Sequence, residues 1–181
     1  MCGIIGVTGR EQVSQILLEG LKALEYRGYD SAGVAVQRDD GLVVLRRAGK
    51  LAELEAALGE LEAFGTCGVG HTRWATHGTP TEMNAHPHVD GPERVAVVHN
   101  GILENHAELR AELEAAGCRF RSQTDTEVLA HLVSEQRKTG ADLAAAGGSA
   151  AQRLEGAFAC VVVCADDPGT MLAVRTHSPV A

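Results

Sequence analysis

Met1-Cys2-Gly3-Ile4-Ile5-Gly6 opens the chain, and what Cys2 does there decides how the rest is read. A small residue behind the initiator lets the methionine be removed, which makes Cys2 the mature N-terminus. It then carries a thiol and a free α-amine, with ordinary pKa values of about 8.5 and about 8. A thiol beside its own amine supplies a nucleophile and a general base on one residue. The alternative is a plain buried cysteine on a first strand, because residues 4–7 read as a short apolar strand.

Composition narrows the class. The 181 residues suffice for one well-buried core and are few for two, and one domain over 1–181 is expected. The chain is 45% hydrophobic and 22% charged, ordinary for a globular protein, but only 3% aromatic, so aliphatic side chains must fill the interior. With 24 acidic and 16 basic residues the net charge is −8, which argues against nucleic-acid and anionic-membrane partners. The odd count of five cysteines has no framework spacing and fits a reduced, cytoplasmic compartment. A secretory signal is not expected, since no positively charged segment followed by an apolar one stands at residues 1–30. The longest apolar run, nine residues over 157–165, suits a buried strand and falls far short of a membrane span.

Periodicity predicts the elements. Val13, Ile16, Leu17, Leu21 and Leu24 recur at helical spacing, giving a helix over 11–25, with a loop over 26–31. Strands over 32–37 and 42–46 join through Asp39-Asp40-Gly41, a hairpin signal. A helix over 50–61 follows, then strands over 66–73 and 94–99. Between them lies a polar segment, 76–93, with three prolines. Asn105 with Glu108, and Thr124 with Glu127, resemble helix caps that open helices over 106–116 and 126–138. The Gly/Ala-rich 139–149 stretch has no clear assignment, and strands over 157–165 and 170–174 close the chain. Mixed strands and helices with hairpins point to an α+β fold with antiparallel sheets.

Several clusters can carry chemistry. Arg73 is a planar, permanently charged fork suited to a carboxylate, with Thr76 and His77 as further donors; a local ion pair is the alternative. Trp74, the only tryptophan, is either at this site or in the core. Asn100 and Gly101 end a strand as an oxyanion hole or as an ordinary turn. Asp125 favours a helix dipole or meets a substrate ammonium. His71, His77, His86 and His88 invite a metal, yet no spacing matches a closed site. Cys160 and Cys164 share a strand face and read as core thiols.

Taken together, Cys2-Gly3-Ile4, Tyr26 to Gly33 (Tyr-Arg-Gly-Tyr-Asp-Ser-Ala-Gly), His71 to Gly78 (His-Thr-Arg-Trp-Ala-Thr-His-Gly), Asn84 to His88, His99 to Ile102 and Thr124 to Glu127 resemble a known family. Their joint pattern is similar to the class II glutamine amidotransferases, which are N-terminal-nucleophile hydrolases. Within that class they resemble the glutaminase domains of the isomerizing enzymes that make glucosamine 6-phosphate from fructose 6-phosphate. The resemblance implies a four-layer α/β/β/α sandwich of two antiparallel sheets. It implies Cys2 as nucleophile, with Arg27 positioning it. Asn100 and Gly101 would form the oxyanion hole. Arg73, Thr76 and His77 would hold the glutamine α-carboxylate, and Asp125 the α-ammonium. Trp74 would gate an ammonia passage.

The implied activity is hydrolysis of L-glutamine to glutamate and ammonia through a Cys2 thioester, with no metal and no cofactor. The implied partner is a sugar-isomerase region that accepts the ammonia and through which a homodimer would form. That region is expected to be absent from this chain, which stops at Ala181, soon after Ser178-Pro179. Rival readings are an N-terminal-nucleophile hydrolase of another amide, a glutamine-binding module without catalysis, and a His-rich metal protein.

Overall fold

The computed structural model describes residues 2–9, 12–61, 65–74 and 79–176. In chain order the elements are β1 (Gly3–Thr8), α1 (Val13–Leu24), β2 (Ser31–Arg38), β3 (Gly41–Ala48), α2 (Leu51–Leu61), β4 (Cys67–Arg73), β5 (His88–Val89), β6 (Val95–Gly101), α3 (His106–Ala115), α4 (Thr126–Arg137), α5 (Leu143–Gln152), β7 (Phe158–Cys164) and β8 (Met171–Thr176). Two four-stranded antiparallel sheets result, in the orders β1-β4-β2-β3 and β5-β6-β7-β8.

Strand periodicity explains the layering. Successive side chains on a strand point to opposite faces. On β2, Val34 and Val36 pack against α1 and α2, with Leu17, Leu21 and Leu54, while Ala35 faces the other sheet. On β6, Val95 and Val97 face α3, α4 and α5, and Ala96 and Val98 face the first sheet. On β7, Phe158, Cys160, Val162 and Cys164 take the helix side, and Val161 and Val163 the sheet side. The result is the expected α/β/β/α sandwich with three apolar seams. Each fully buried Val, Leu or Phe in them contributes roughly 1.5–3 kcal/mol. Cys160 and Cys164 are core thiols, as their spacing implies.

The hairpin between β2 and β3 turns on Asp39-Asp40, with Arg38 paired to Gly41. Other details depart from expectation. The 26–31 stretch begins inside a 3-10 turn, Glu25–Arg27. The polar 76–93 segment contains β5, paired with β6 through His88 and Val97. The unassigned 139–149 stretch holds most of α5, whose N-cap Asp142 accepts from the Ala145 N–H. Gly147 hides that helix from a propensity reading, but a Cβ there would lie 2.0 Å from Leu172 Cδ2. The glycine is what lets α5 close on β8.

Both expected caps are also corrected. Asn105 holds the N-cap position of α3, but its side chain donates to the Arg153 carbonyl and accepts from the Glu155 N–H. Thr124 precedes the N-cap of α4, which is Asp125. Glu127 reaches past it to accept from the backbone N–H groups of Arg121 (2.8 Å) and Ser122 (2.6 Å). A carboxylate taking two N–H donors upstream of the helix ties the 121–126 loop down more firmly than a reciprocal cap would.

Candidate active site

Register brings the ends of four strands together. Gly3 pairs with Thr72 and Ser31 with Arg73, so the start of β1, the start of β2 and the end of β4 meet. The end of β6 lies across the gap between the sheets. Residues of one parity face that gap: Ile4 on β1, Cys67 and Val69 on β4, Ala96 and Val98 on β6. Extending each series by twos reaches Cys2, His71, Arg73 and Asn100.

Their contacts agree. Cys2 is half-buried, and its Sγ accepts from the Trp74 N–H at 3.2 Å while its thiol points at the Trp74 carbonyl, 3.6 Å away. Arg27 Nη1 donates to the Cys2 carbonyl at 3.4 Å, and Asn100 Nδ2 reaches the same oxygen at 3.5 Å. Gly101 sits at φ +127, where a Cβ would come within 2.3 Å of the Ala157 carbonyl, so no larger residue fits. Arg73 is buried, at 4% exposure, with Nη1 4.0 Å from Asp30 Oδ1. The core alternative for Trp74 is ruled out: the residue is 54% exposed, its ring lying over Gly28.

Asp125 does not act as a side-chain cap. It is half-buried, and its Oδ2 accepts from the Leu103 N–H at 2.9 Å, which ties the start of α4 to the chain just past Gly101. Thr76 and His77 lie outside the described residues.

Behind these groups lies a buried set of imidazoles whose collective role sequence reasoning missed. The His71 and His86 rings are 4.1 Å apart, and those of His86 and His88 4.7 Å. His71 Nε2 lies 2.8 Å from Asn100 Oδ1 and 3.1 Å from the His99 carbonyl. Thr126 Oγ1 is shared by His86 Nε2 (3.0 Å) and His99 Nδ1 (2.8 Å), and Thr124 Oγ1 meets His88 Nε2 at 3.0 Å. Burial pushes His71 down to about 4 and His88 down to about 3. Burial lowers His86 too, and neighbouring imidazoles add to the effect; His99 is lowered by burial against the pull of Asp125. The set is therefore neutral near pH 7. Among the described residues no three His, Cys, Asp or Glu side chains converge as metal ligands. Likewise, no described helix is long and apolar enough to cross a membrane.

A cysteine at position 2 lies beside a strand-end Asn-Gly, with a buried arginine and a carboxylate nearby, and comparison with known proteins supplies the class. The chain belongs to the glutamine amidotransferase domain family, whose sequence model matches residues 71–180. It is 53% identical over 189 residues to the isomerizing glutamine–fructose-6-phosphate aminotransferase of Mycolicibacterium smegmatis, and 56% identical over 181 residues to that of Streptomyces coelicolor. Each match covers 99% of this chain but only 30% and 29% of the relative, so the chain spans under a third of their length. Among solved structures, the glutamine phosphoribosylpyrophosphate amidotransferase of B. subtilis superposes with a TM-score of 0.75 at 30% identity, over 91% of this chain and 35% of that one. A structure described as the allosteric regulatory enzyme of purine biosynthesis gives a TM-score of 0.76 at 31% identity, over 91% of this chain and 36% of that one.

Proposed function

We propose that this domain hydrolyses L-glutamine to glutamate and ammonia, with Cys2 as nucleophile. The observation that carries the reading is the convergence of Arg27, Trp74 and Asn100 on the one residue Cys2. Removal of Met1 frees the α-amine, which takes the thiol proton. The sulfur attacks the side-chain carbonyl of glutamine, and the C=O electron pair moves onto oxygen. Asn100 Nδ2 and the Gly101 N–H meet that oxyanion. The protonated amine then gives its proton to the leaving nitrogen, ammonia departs and a Cys2 thioester remains. Water, deprotonated by the same amine, releases glutamate and restores the thiol.

Arg73, with Thr76 and His77, takes the α-carboxylate, and Asp125 the α-ammonium. Holding both ends orients the amide and rejects asparagine by length. Arg27 positions the nucleophile, and Trp74 gates the exit of ammonia. The names and greater lengths of the relatives support a larger protein in which a further, sugar-isomerase region uses that ammonia on fructose 6-phosphate. A cytoplasmic location and a dimer formed through that region complete the proposal.

The test is direct. The purified chain incubated with L-glutamine releases glutamate and ammonia in equal amounts, and Cys2→Ala releases neither. Intact mass shows loss of Met1. A preparation that keeps Met1 quantitatively and still turns over overturns the role of the α-amine.

A further inference from the structure

A side-chain amide is symmetric in shape and opposite in polarity at its two ends. Asn100 can serve an oxyanion only if Nδ2, not Oδ1, faces the nucleophile. Packing alone hardly distinguishes the two orientations, so something polar must choose.

His71 makes that choice. Its ring is fully buried on β4, between the sheets, and Nε2 lies within hydrogen-bond reach of two atoms, the His99 carbonyl at 3.1 Å and the Asn100 amide at 2.8 Å. A backbone carbonyl can only accept, so Nε2 must carry the hydrogen. The ring is neutral near pH 7, its one proton is then spent on Nε2, and Nδ1 has no hydrogen-bond partner among the described residues. An N–H directed at this spot requires an acceptor from Asn100. That fixes Oδ1 toward His71 and turns Nδ2 toward Cys2, whose carbonyl it reaches at 3.5 Å. The His86 ring against His71, itself held by Thr126 Oγ1, keeps the imidazole from turning away.

We propose that His71 is a positioning residue for the reaction, acting through Asn100 by locking its amide with the donor end toward the oxyanion. The proposal rests on the reading of Asn100 as an oxyanion donor. His71 touches neither glutamine nor the reacting atoms.

The experiment is a set of variants assayed for glutamine hydrolysis: His71→Leu, His71→Gln and His71→Asn, each alone and combined with Asn100→Ala. Glutamine at position 71 places an N–H where Nε2 was, while asparagine falls short of it. Loss of one oxyanion donor slows turnover by about 10²–10³. His71→Leu and His71→Asn are therefore expected to lower kcat by roughly 10- to 100-fold with KM within about twofold, and His71→Gln to recover most of it. In the Asn100→Ala background the same changes should cost about twofold at most, because their target is gone. If the losses multiply, or if His71→Gln is as slow as His71→Asn, the proposal is overturned while the oxyanion reading stands. If Asn100→Ala leaves kcat unchanged, both fall. Should His71→Leu not fold, the Gln and Asn pair still decides.

Discussion

The Trp74 backbone N–H donates to Cys2 Sγ at 3.2 Å, so the hydrogen bond that meets the sulfur belongs to the main chain rather than to the indole. A backbone donor of this kind survives side-chain replacement, and Cys2 is partly exposed at the site. The other thiols have the opposite surroundings. Burial pushes Cys160 up to about 12 and raises Cys67, Cys118 and Cys164 above their ordinary value. Limiting alkylating reagent near pH 8 is therefore expected to modify Cys2 first, as read by peptide mass spectrometry. Trp74→Phe should leave that labelling rate within about threefold and stability within roughly 0.5 kcal/mol, given its exposed ring. Labelling mainly at half-buried Cys118 would contradict the assignment of the reactive thiol.

The buried imidazoles make the fold acid-sensitive. His71 and His88 titrate near 4 and 3 in the folded state, while the unfolded chain takes up those protons near the ordinary histidine value of about 6.5. A depressed base means the unfolded state binds more protons below about pH 6.5, so stability rises with pH there and is complete above it. Denaturant melts from pH 7 down to 4 should show a steady loss, with these two rings contributing nearly two protons to the slope between about pH 4.5 and 5.5 and the lowered His86 and His99 adding to it. His88→Gln, which keeps a polar partner for Thr124 Oγ1, should make that slope shallower by about one proton. An identical slope in the variant would show that His88 is not a source of the dependence.

Much of this was legible in sequence because strand alternation is a strong signal: Val95 to Val98 and Phe158 to Cys164 each announce two buried faces. What was not legible depends on groups far apart in the chain. Thr124 and Glu127 have capping-box spacing, yet Glu127 finds two free N–H groups at Arg121 and Ser122, and Thr124 finds His88 on a strand 36 residues upstream. Asp125 stands at the start of α4, where an acidic residue meets the helix dipole, and its Oδ2 also takes the Leu103 N–H, a partner that spacing cannot show. The histidines leave a metal open in the sequence, even without a matching spacing, because sequence shows ligand atoms and not their partners. The structure gives His71, His86, His88 and His99 hydroxyl, amide or carbonyl partners. Alternation along β4 and β6 was the available signal that His71 and Asn100 share the gap between the sheets.

Glu127 gives a second, separable pH effect. Burial alone would raise its pKa, but the neighbouring His131 ring and the donors from Ser122 and Arg121 outweigh that and hold it at about 2. A depressed carboxylate contributes stability that is present above its unfolded value of about 4.5 and disappears as pH falls toward 2. Glu127→Gln leaves an amide facing two N–H donors with only one oxygen to offer. The expected cost is about 1–3 kcal/mol at pH 7, and the gap between variant and parent should close as pH drops below about 4. Because the 121–126 loop carries Asp125, KM for glutamine should rise as well. A cost that stays constant down to pH 2.5 would show that the charge contributes nothing.

The ligand-binding roles proposed for Arg73 and Asp125 can be separated from their structural roles by choice of variant. Arg73 is almost wholly buried, and Asp125 accepts a backbone N–H from Leu103 in addition to any ligand it meets. Truncating a charge that faces a ligand charge in a closed site costs on the order of 2–5 kcal/mol of binding. Arg73→Ala should therefore raise KM for glutamine by at least about thirtyfold, and Arg73→Lys should restore only part, since an ammonium cannot form the planar fork. Asp125→Asn is the sharper change. Its amide oxygen still accepts from Leu103, so the loop keeps its tie and the melting temperature should move little, while the charge that would meet an α-ammonium is gone. If Asp125 serves the fold alone, KM stays put. If it holds the substrate, KM rises steeply at nearly constant stability. Glutamine amides that lack the α-carboxylate provide the matching control, because they should lose less than glutamine does on Arg73→Ala. Unchanged KM in both Arg73→Ala and Asp125→Asn would reject glutamine recognition by these residues and favour a hydrolase that binds its amide some other way.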